Sequence, residues 1–290
     1  MGIPGFRAER HRVGDVEIAC SVAGEGPPLL LLHGYPQTRL MWRHVAPALA
    51  RRFTVVAADL RGYGESSKPP GDPAHATYAK RAMAADQVGL MRGLGFDRFA
   101  VVGHDRGARV AHRMALDHPA AVARLGVLDI VPTRHLFEGV DQAFATAYYH
   151  WFFLIQPDGL PERMIGADPD WFLRETHRRW SAVEGAIEEE ALAAYSAAFA
   201  DPAAIHASCE DYRAAASIDL EHDRADAGRR VACPTLALWG ARGAMARLYD
   251  LEAVWRGYAE DLTAAAVDGG HFVAEEDPAG TLAALEAFMG

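Results

Sequence analysis

Short, uninterrupted apolar runs separated by helical segments are what most constrain the folding of this 290-residue chain. Runs at 29–32, 53–58, 99–102, 125–128, 235–239 and 263–267 read as strands. Segments such as 78–94 and 106–117 carry helical periodicity between them. A strand that is apolar along its length, rather than at alternate residues, is buried on both faces. The pattern therefore predicts an α/β fold, a mostly parallel sheet flanked by helices. Ligands of such sheets bind beyond the carboxyl ends of the strands.

The rhythm stops between about 133 and 223. This stretch has an aromatic cluster (Tyr148, Tyr149, Trp151, Phe152, Phe153, Trp171, Phe172) and then Ala- and Glu-rich helical sequence over 181–200. It holds no convincing strand, and the strand pattern resumes at Thr235. We expect a discontinuous core, 1–133 and 223–290, with 134–222 as a helical cap over the carboxyl edge.

Half of the residues are hydrophobic and 23% are charged, enough for one large core. The net charge of −10 argues against nucleic acid as a partner. Cys20, Cys209 and Cys233 are scattered and match neither a disulfide framework nor a zinc site. The first residues contain no apolar stretch of signal-peptide length, and Phe6 stands where a myristoylation signal needs Ser or Thr. No run reaches the ~18 apolar residues of a membrane span. A cytoplasmic enzyme without membrane association is expected.

Chemistry enters at Phe99-Ala-Val-Val-Gly-His-Asp-Arg-Gly-Ala-Arg109. A strand ends, Gly103 and Gly107 flank Asp105 at two residues on either side, and a helix begins. That is the pattern of a nucleophile elbow, whose glycines permit a sharp strand-to-helix turn. Aspartate is also a common helix N-cap, but three further segments fit a catalytic reading. Together with the elbow, His33-Gly-Tyr-Pro36, the loop Asp59–66 and Asp268-Gly-Gly-His-Phe272 resemble the α/β-hydrolase superfamily along nearly the whole chain. The resemblance implies an oxyanion-hole loop at Tyr35 and a catalytic histidine at His271.

An aspartate nucleophile suits displacement at an sp³ carbon, which leaves an ester on the enzyme. Histidine then activates water to hydrolyse that ester. Attack on a carbonyl would yield an anhydride, so esterase chemistry is disfavoured. In most relatives the acid that orients the histidine follows the strand equivalent to 235–239. Here that turn, Trp239 to Met245, has no carboxylate, and Asp129 in Gly126-Val-Leu-Asp-Ile130 is the replacement. Some dehalogenases place the acid there, whereas epoxide hydrolases usually keep the later position.

Arg106 and Arg109 begin the helix after the elbow, where the helix dipole disfavours cations. They share a helix face and could clamp a substrate carboxylate. The elbow Asp105-Arg-Gly-Ala-Arg109 resembles that of the fluoroacetate (haloacetate) dehalogenases. So do Tyr149-His-Trp-Phe-Phe-Leu-Ile-Gln156 and Cys209-Glu-Asp-Tyr-Arg213. The resemblance implies that Arg106 and Arg109 bind the carboxylate and that His150, Trp151 and Tyr212 receive the halide. Backbone N–H groups of Tyr35 and Arg106 would form the oxyanion hole. Neither a cofactor nor a metal is implied; the partners are a small haloacid and, by homodimerisation, a second copy. Two other readings stay open. One is an epoxide hydrolase using Tyr212 with Tyr148 or Tyr149; the other is a non-catalytic binding protein of the same fold.

Overall fold

The computed structural model describes residues 2–290. Eight strands form a single sheet: β1 (Arg7–Val13), β2 (Val16–Ala23), β3 (Pro28–Leu32), β4 (Thr54–Ala58), β5 (Phe99–His104), β6 (Val122–Leu128), β7 (Thr235–Gly240) and β8 (Leu262–Val267). Their spatial order is β1-β2-β4-β3-β5-β6-β7-β8. β1 pairs with β2 and β2 with β4 antiparallel, and all the remaining pairs are parallel.

The six apolar runs are the six parallel strands. Leu29 to Leu32 are fully buried between β4 and β5, and each such side chain contributes about 1.5–3 kcal/mol of burial energy. The β1–β2 hairpin is an addition to the expected fold. β1, Arg-Ala-Glu-Arg-His-Arg-Val, is an exposed edge strand with no apolar face to read. Its charges suit an edge that must not pair with other chains.

At the elbow, β5 ends at His104 and a helix runs over Arg106–Asp117. Between them Asp105 has φ +44° and ψ −112°, a conformation that costs a non-glycine residue about 1–3 kcal/mol. A Cβ on Gly103 would lie 2.3 Å from the Gly107 carbonyl oxygen, and one on Gly107 would lie 2.4 Å from that of His33. Both positions therefore exclude side chains because backbone approaches backbone.

Eight helices fill the chain between β6 and β7, from Thr133 to Ala225, with no strand among them. Buried glutamates tie this segment to the residues around the sheet's carboxyl end. Glu276 accepts hydrogen bonds from the N–H groups of Ala182 (2.6 Å), Val183 (3.0 Å) and Gly270 (2.9 Å). Glu275 accepts from Arg43 at 2.8 Å, from Gln37 at 2.7 Å and from the Tyr195 hydroxyl.

Candidate active site

The elbow lifts Asp105 to the carboxyl end of the sheet, where it is 5% exposed. Its Oδ2 accepts a hydrogen bond of 3.0 Å from the Tyr35 backbone N–H. Gly34 allows that approach, since a Cβ there would come within 2.6 Å of the Asp105 Cβ. Burial alone would push the Asp105 carboxyl up. The charges of His271, Arg106, His104 and Arg109 outweigh it and hold the group below its ordinary value. A buried carboxylate that stays ionised is the result.

His271 lies in the loop after β8, and its Nδ1 is 2.7 Å from Asp129 Oδ2. Asp129, at φ +53°, leaves the end of β6, and its Oδ1 accepts from the Gly240 N–H at 3.2 Å. The end of β7 thus contributes a backbone donor to Asp129, where an acid would otherwise follow this strand. Burial opposes a charged His271, but the bond to Asp129 and the charges of Asp129 and Asp105 raise it above the ordinary imidazole value. Its Nε2 is buried without a protein partner, the nitrogen a general base would use. His104 steadies this loop, with Nε2 2.7 Å from the His271 carbonyl oxygen.

The two arginines are buried and held differently. Arg106 donates through Nε (3.0 Å) and Nη2 (2.6 Å) to the Asp211 carboxylate, and through Nη2 to its carbonyl oxygen at 2.8 Å. Asp211 also binds the Tyr63 hydroxyl at 2.7 Å and the Lys80 ammonium. Burial works against ionised Asp211, but Arg106 and Lys80 hold its carboxyl well below the carboxylate range. Arg109 has no carboxylate partner. Its Nη1 donates to the Val131 carbonyl oxygen (2.9 Å) and to Thr133 Oγ1 (3.0 Å). Burial first, then the charge of Arg106, pushes Arg109 down to about 10. Arg106 Nη1 and Arg109 Nε are both buried without partners.

Aromatic rings enclose these groups. The Arg106 guanidinium lies 4.1 Å from the Tyr212 ring centre and that of Arg109 lies 4.5 Å from Trp151. Trp151 and His150 meet Tyr212 edge to face, with ring centres at 5.4 and 5.7 Å. The Tyr212 hydroxyl and His150 Nδ1 are buried without partners. Burial pushes His150 down to about 3, so it is a neutral imidazole. The structure therefore brings together all the residues expected from the sequence. Tyr149 is set apart, 43% exposed at the rim of a cleft. No hydrogen bond joins the Arg106 backbone N–H to Asp105; of the two backbone donors expected at the oxyanion hole, that of Tyr35 reaches the carboxylate.

A family model described as the alpha/beta hydrolase fold matches residues 27–278. The chain belongs to the α/β-hydrolase family. It is 52% identical to a fluoroacetate dehalogenase from Burkholderia sp over 98% of this chain and 94% of that one. A soluble epoxide hydrolase from Corynebacterium sp. is 36% identical over 88% of this chain and 87% of the relative. The crystal structure of an α/β hydrolase from Nostoc sp superposes with a TM-score of 0.98 and 53% identity, covering 99% of each chain.

Three contributors to this hydrolase site went unread in the sequence. Asp211 and Lys80 come from segments 131 positions apart. Asp211 sits next to Tyr212 in a quoted motif, but nothing local signals its contact with Arg106. Trp180 packs between His150 and His271, with ring centres at 4.4 and 5.3 Å. Its position at the end of the helix Pro169–Trp180 gave no hint of this. Among the described residues, no group of three or more His, Cys, Asp and Glu could hold a metal ion, and no helix is long and apolar enough to cross a membrane.

Proposed function

We propose that this enzyme, a hydrolase of carbon–halide bonds, converts a 2-haloacetate, with fluoroacetate favoured, to glycolate and halide through an ester on Asp105. One observation carries the reading: the Asp105 carboxylate shares its pocket with two buried guanidinium groups, each with an unpartnered N–H nitrogen. A substrate anion is the chemistry that would complete them. A neutral epoxide would leave Arg106 Nη1 and Arg109 Nε unpartnered, and Arg109 without a carboxylate partner. Similarity to the fluoroacetate dehalogenase supports the same choice.

In this reading Arg106 Nη1 and Arg109 Nε hold the carboxylate, and residues 134–222 act as a cap over a core of 1–133 and 223–290. Asp105 Oδ2 is held by Tyr35, so Oδ1 attacks the halogen-bearing carbon and the carbon–halogen bond breaks on the opposite side. Donors on His150, Trp151 and Tyr212 receive the halide, which for fluoride needs strong hydrogen bonds as charge develops. His271 then takes a proton from water, and the hydroxide adds to the Asp105 carbonyl carbon. The Tyr35 N–H, joined by that of Arg106, stabilises the oxyanion; glycolate leaves and the water oxygen stays in Asp105. A homodimer in the cytoplasm belongs to the same reading.

The deciding assay is fluoride release from fluoroacetate by the purified protein, compared with diol formation from styrene oxide. Fluoride without diol is expected; diol without fluoride would move the enzyme to the epoxide hydrolases. Ligand binding with neither product would return it to the non-catalytic alternative.

The pH profile should carry two signatures. Ester hydrolysis needs neutral His271, so kcat falls as pH drops through that group's value in the alkylated enzyme. Alkylation removes the Asp105 charge that helps raise His271. The acid limb of kcat should therefore lie below the His271 value seen by NMR in the resting enzyme. At high pH, Arg109 loses its proton near about 10. There kcat/KM should fall for haloacetate but not for uncharged haloacetamide. Parallel losses for both substrates would remove Arg109 from carboxylate binding.

A further inference from the structure

A cleft of about 420 Å³ opens from the surface onto His271, between the helical segment 133–225 and the turn after β7. Its walls include Arg179 and Trp180 on one side and Arg242 and Arg247 on the other. No aspartate or glutamate lines it. The carboxylates nearest these arginines lie outside the lining. Arg179 bonds Glu175 at 2.6 Å, a carboxylate it shares with Arg178. Arg242 meets Asp268 at 3.0 Å, and that aspartate side chain is 82% exposed. Arg247 is exposed, donates to the Arg242 carbonyl oxygen at 3.1 Å, and makes no ion pair among the described residues.

The charge on this lining is opposite in sign to the net charge of the chain. The whole chain carries −10, so at long range it repels a small anion. Within a Debye length, about 10 Å at 0.1 M salt, the permanently charged side chains lining the cleft are all arginines, and Arg247 adds a cation without a carboxylate partner. A concave wall focuses such a field and raises the local concentration of the opposite charge. None of these three arginines belongs to the inner pair that faces Asp105.

We propose that this cleft is an anion-binding vestibule, where a small carboxylate lodges against Arg247, Arg242 and Arg179 before it moves inward to Arg106 and Arg109. The inference rests on the haloacetate reading for its substrate but not for its anion chemistry. A vestibule of this kind changes occupancy rather than bond breaking. It acts on KM and on the salt dependence of KM, and leaves kcat alone.

The test uses the intact protein, wild type and the variant Arg242→Gln/Arg247→Gln, with inorganic sulfate as the calorimetric probe. The single Arg247→Gln variant, which breaks no ion pair, serves as the control for folding. Sulfate binding that weakens about tenfold in the double variant supports the vestibule, on the lower scale of electrostatic focusing. In the same variant KM for haloacetate should rise about tenfold and respond less to salt, with kcat and haloacetamide turnover unchanged. Sulfate bound equally by both proteins would locate it at the inner arginines and overturn the proposal. Sulfate bound by neither, with KM unchanged, would do the same. A wild type that turns over no haloacetate yet loses sulfate with these arginines would sink the substrate reading and keep the vestibule.

Discussion

His271→Asn is expected to stop the enzyme after its first chemical event, leaving a carboxymethyl ester on Asp105. Asp105 owes part of its ionisation to the His271 charge, but Arg106, His104 and Arg109 also favour the anion. The nucleophile should therefore remain a carboxylate and still displace halide once. The Tyr35 N–H that holds Oδ2 is untouched by the change. What disappears is the Nε2 lone pair that deprotonates water, a contribution of about 10²–10⁴-fold in rate. Intact-mass measurement after mixing with haloacetate should show one stable adduct, and peptide mapping should place it on Asp105. A single turnover of wild type in heavy-oxygen water adds the complementary result. The label should enter Asp105, and the first glycolate should carry light oxygen. Label in that first glycolate, or full multiple turnover by His271→Asn, would mean that water attacks the substrate directly.

Asp211→Asn should be among the most destabilising single changes in the protein. The carboxylate is fully buried, as are the Arg106 and Lys80 charges that it pairs. Asparagine keeps the shape but leaves two interior cations with Asp219, 3.4 Å from Lys80, as their remaining ion-pair partner. Removing one partner of a buried ion pair costs about 3–5 kcal/mol. Thermal unfolding would show this as a large fall in Tm. The physical cause can be isolated, because adding Lys80→Met removes one of the stranded cations. The double variant should then be more stable than Asp211→Asn alone. If Lys80→Met and Asp211→Asn instead add independently, packing rather than charge accounts for the loss. Haloacetate KM in the surviving fraction should also rise, since Arg106 loses its carboxylate partner and keeps the Nη2 bond to the backbone carbonyl oxygen at that position.

Much of this could be read along the chain, for identifiable reasons. The parallel strands inside the sheet are buried on both faces, so their apolar runs are continuous and visible, whereas the edge strand β8 is half exposed and reads more weakly. The elbow is visible because backbone crowding at Gly103 and Gly107 permits only glycine. Asp129 was found by elimination, since the later turn lacks an acid, and its 2.7 Å contact with His271 supports that choice. The β1–β2 hairpin was hidden because an edge strand such as β1 needs no apolar pattern. The Asp211–Lys80–Arg106 cluster was hidden for a different reason. Its members are ordinary charged residues on three separate segments, and only the folded chain turns them into interior partners. Trp180 was passed over because an aromatic at a helix end packs somewhere in most proteins.

The helical segment enters the chain after Asp129 and returns before β7. Asp105, Asp129 and His271 all lie outside it, on strand ends and loops of the sheet, and the Gly240 N–H that supports Asp129 belongs to the sheet as well. His150, Trp151, Asp211 and Tyr212 all lie within it. The division separates two inheritable modules along one gene. In the proposed mechanism, mutation, insertion or exchange between residues 133 and 225 would redraw which leaving group is received without moving Asp105, His271 or Asp129. Lineages built this way can diversify in substrate while the bond-making apparatus stays constant, and a family that includes both dehalogenases and epoxide hydrolases is the outcome such a layout would favour.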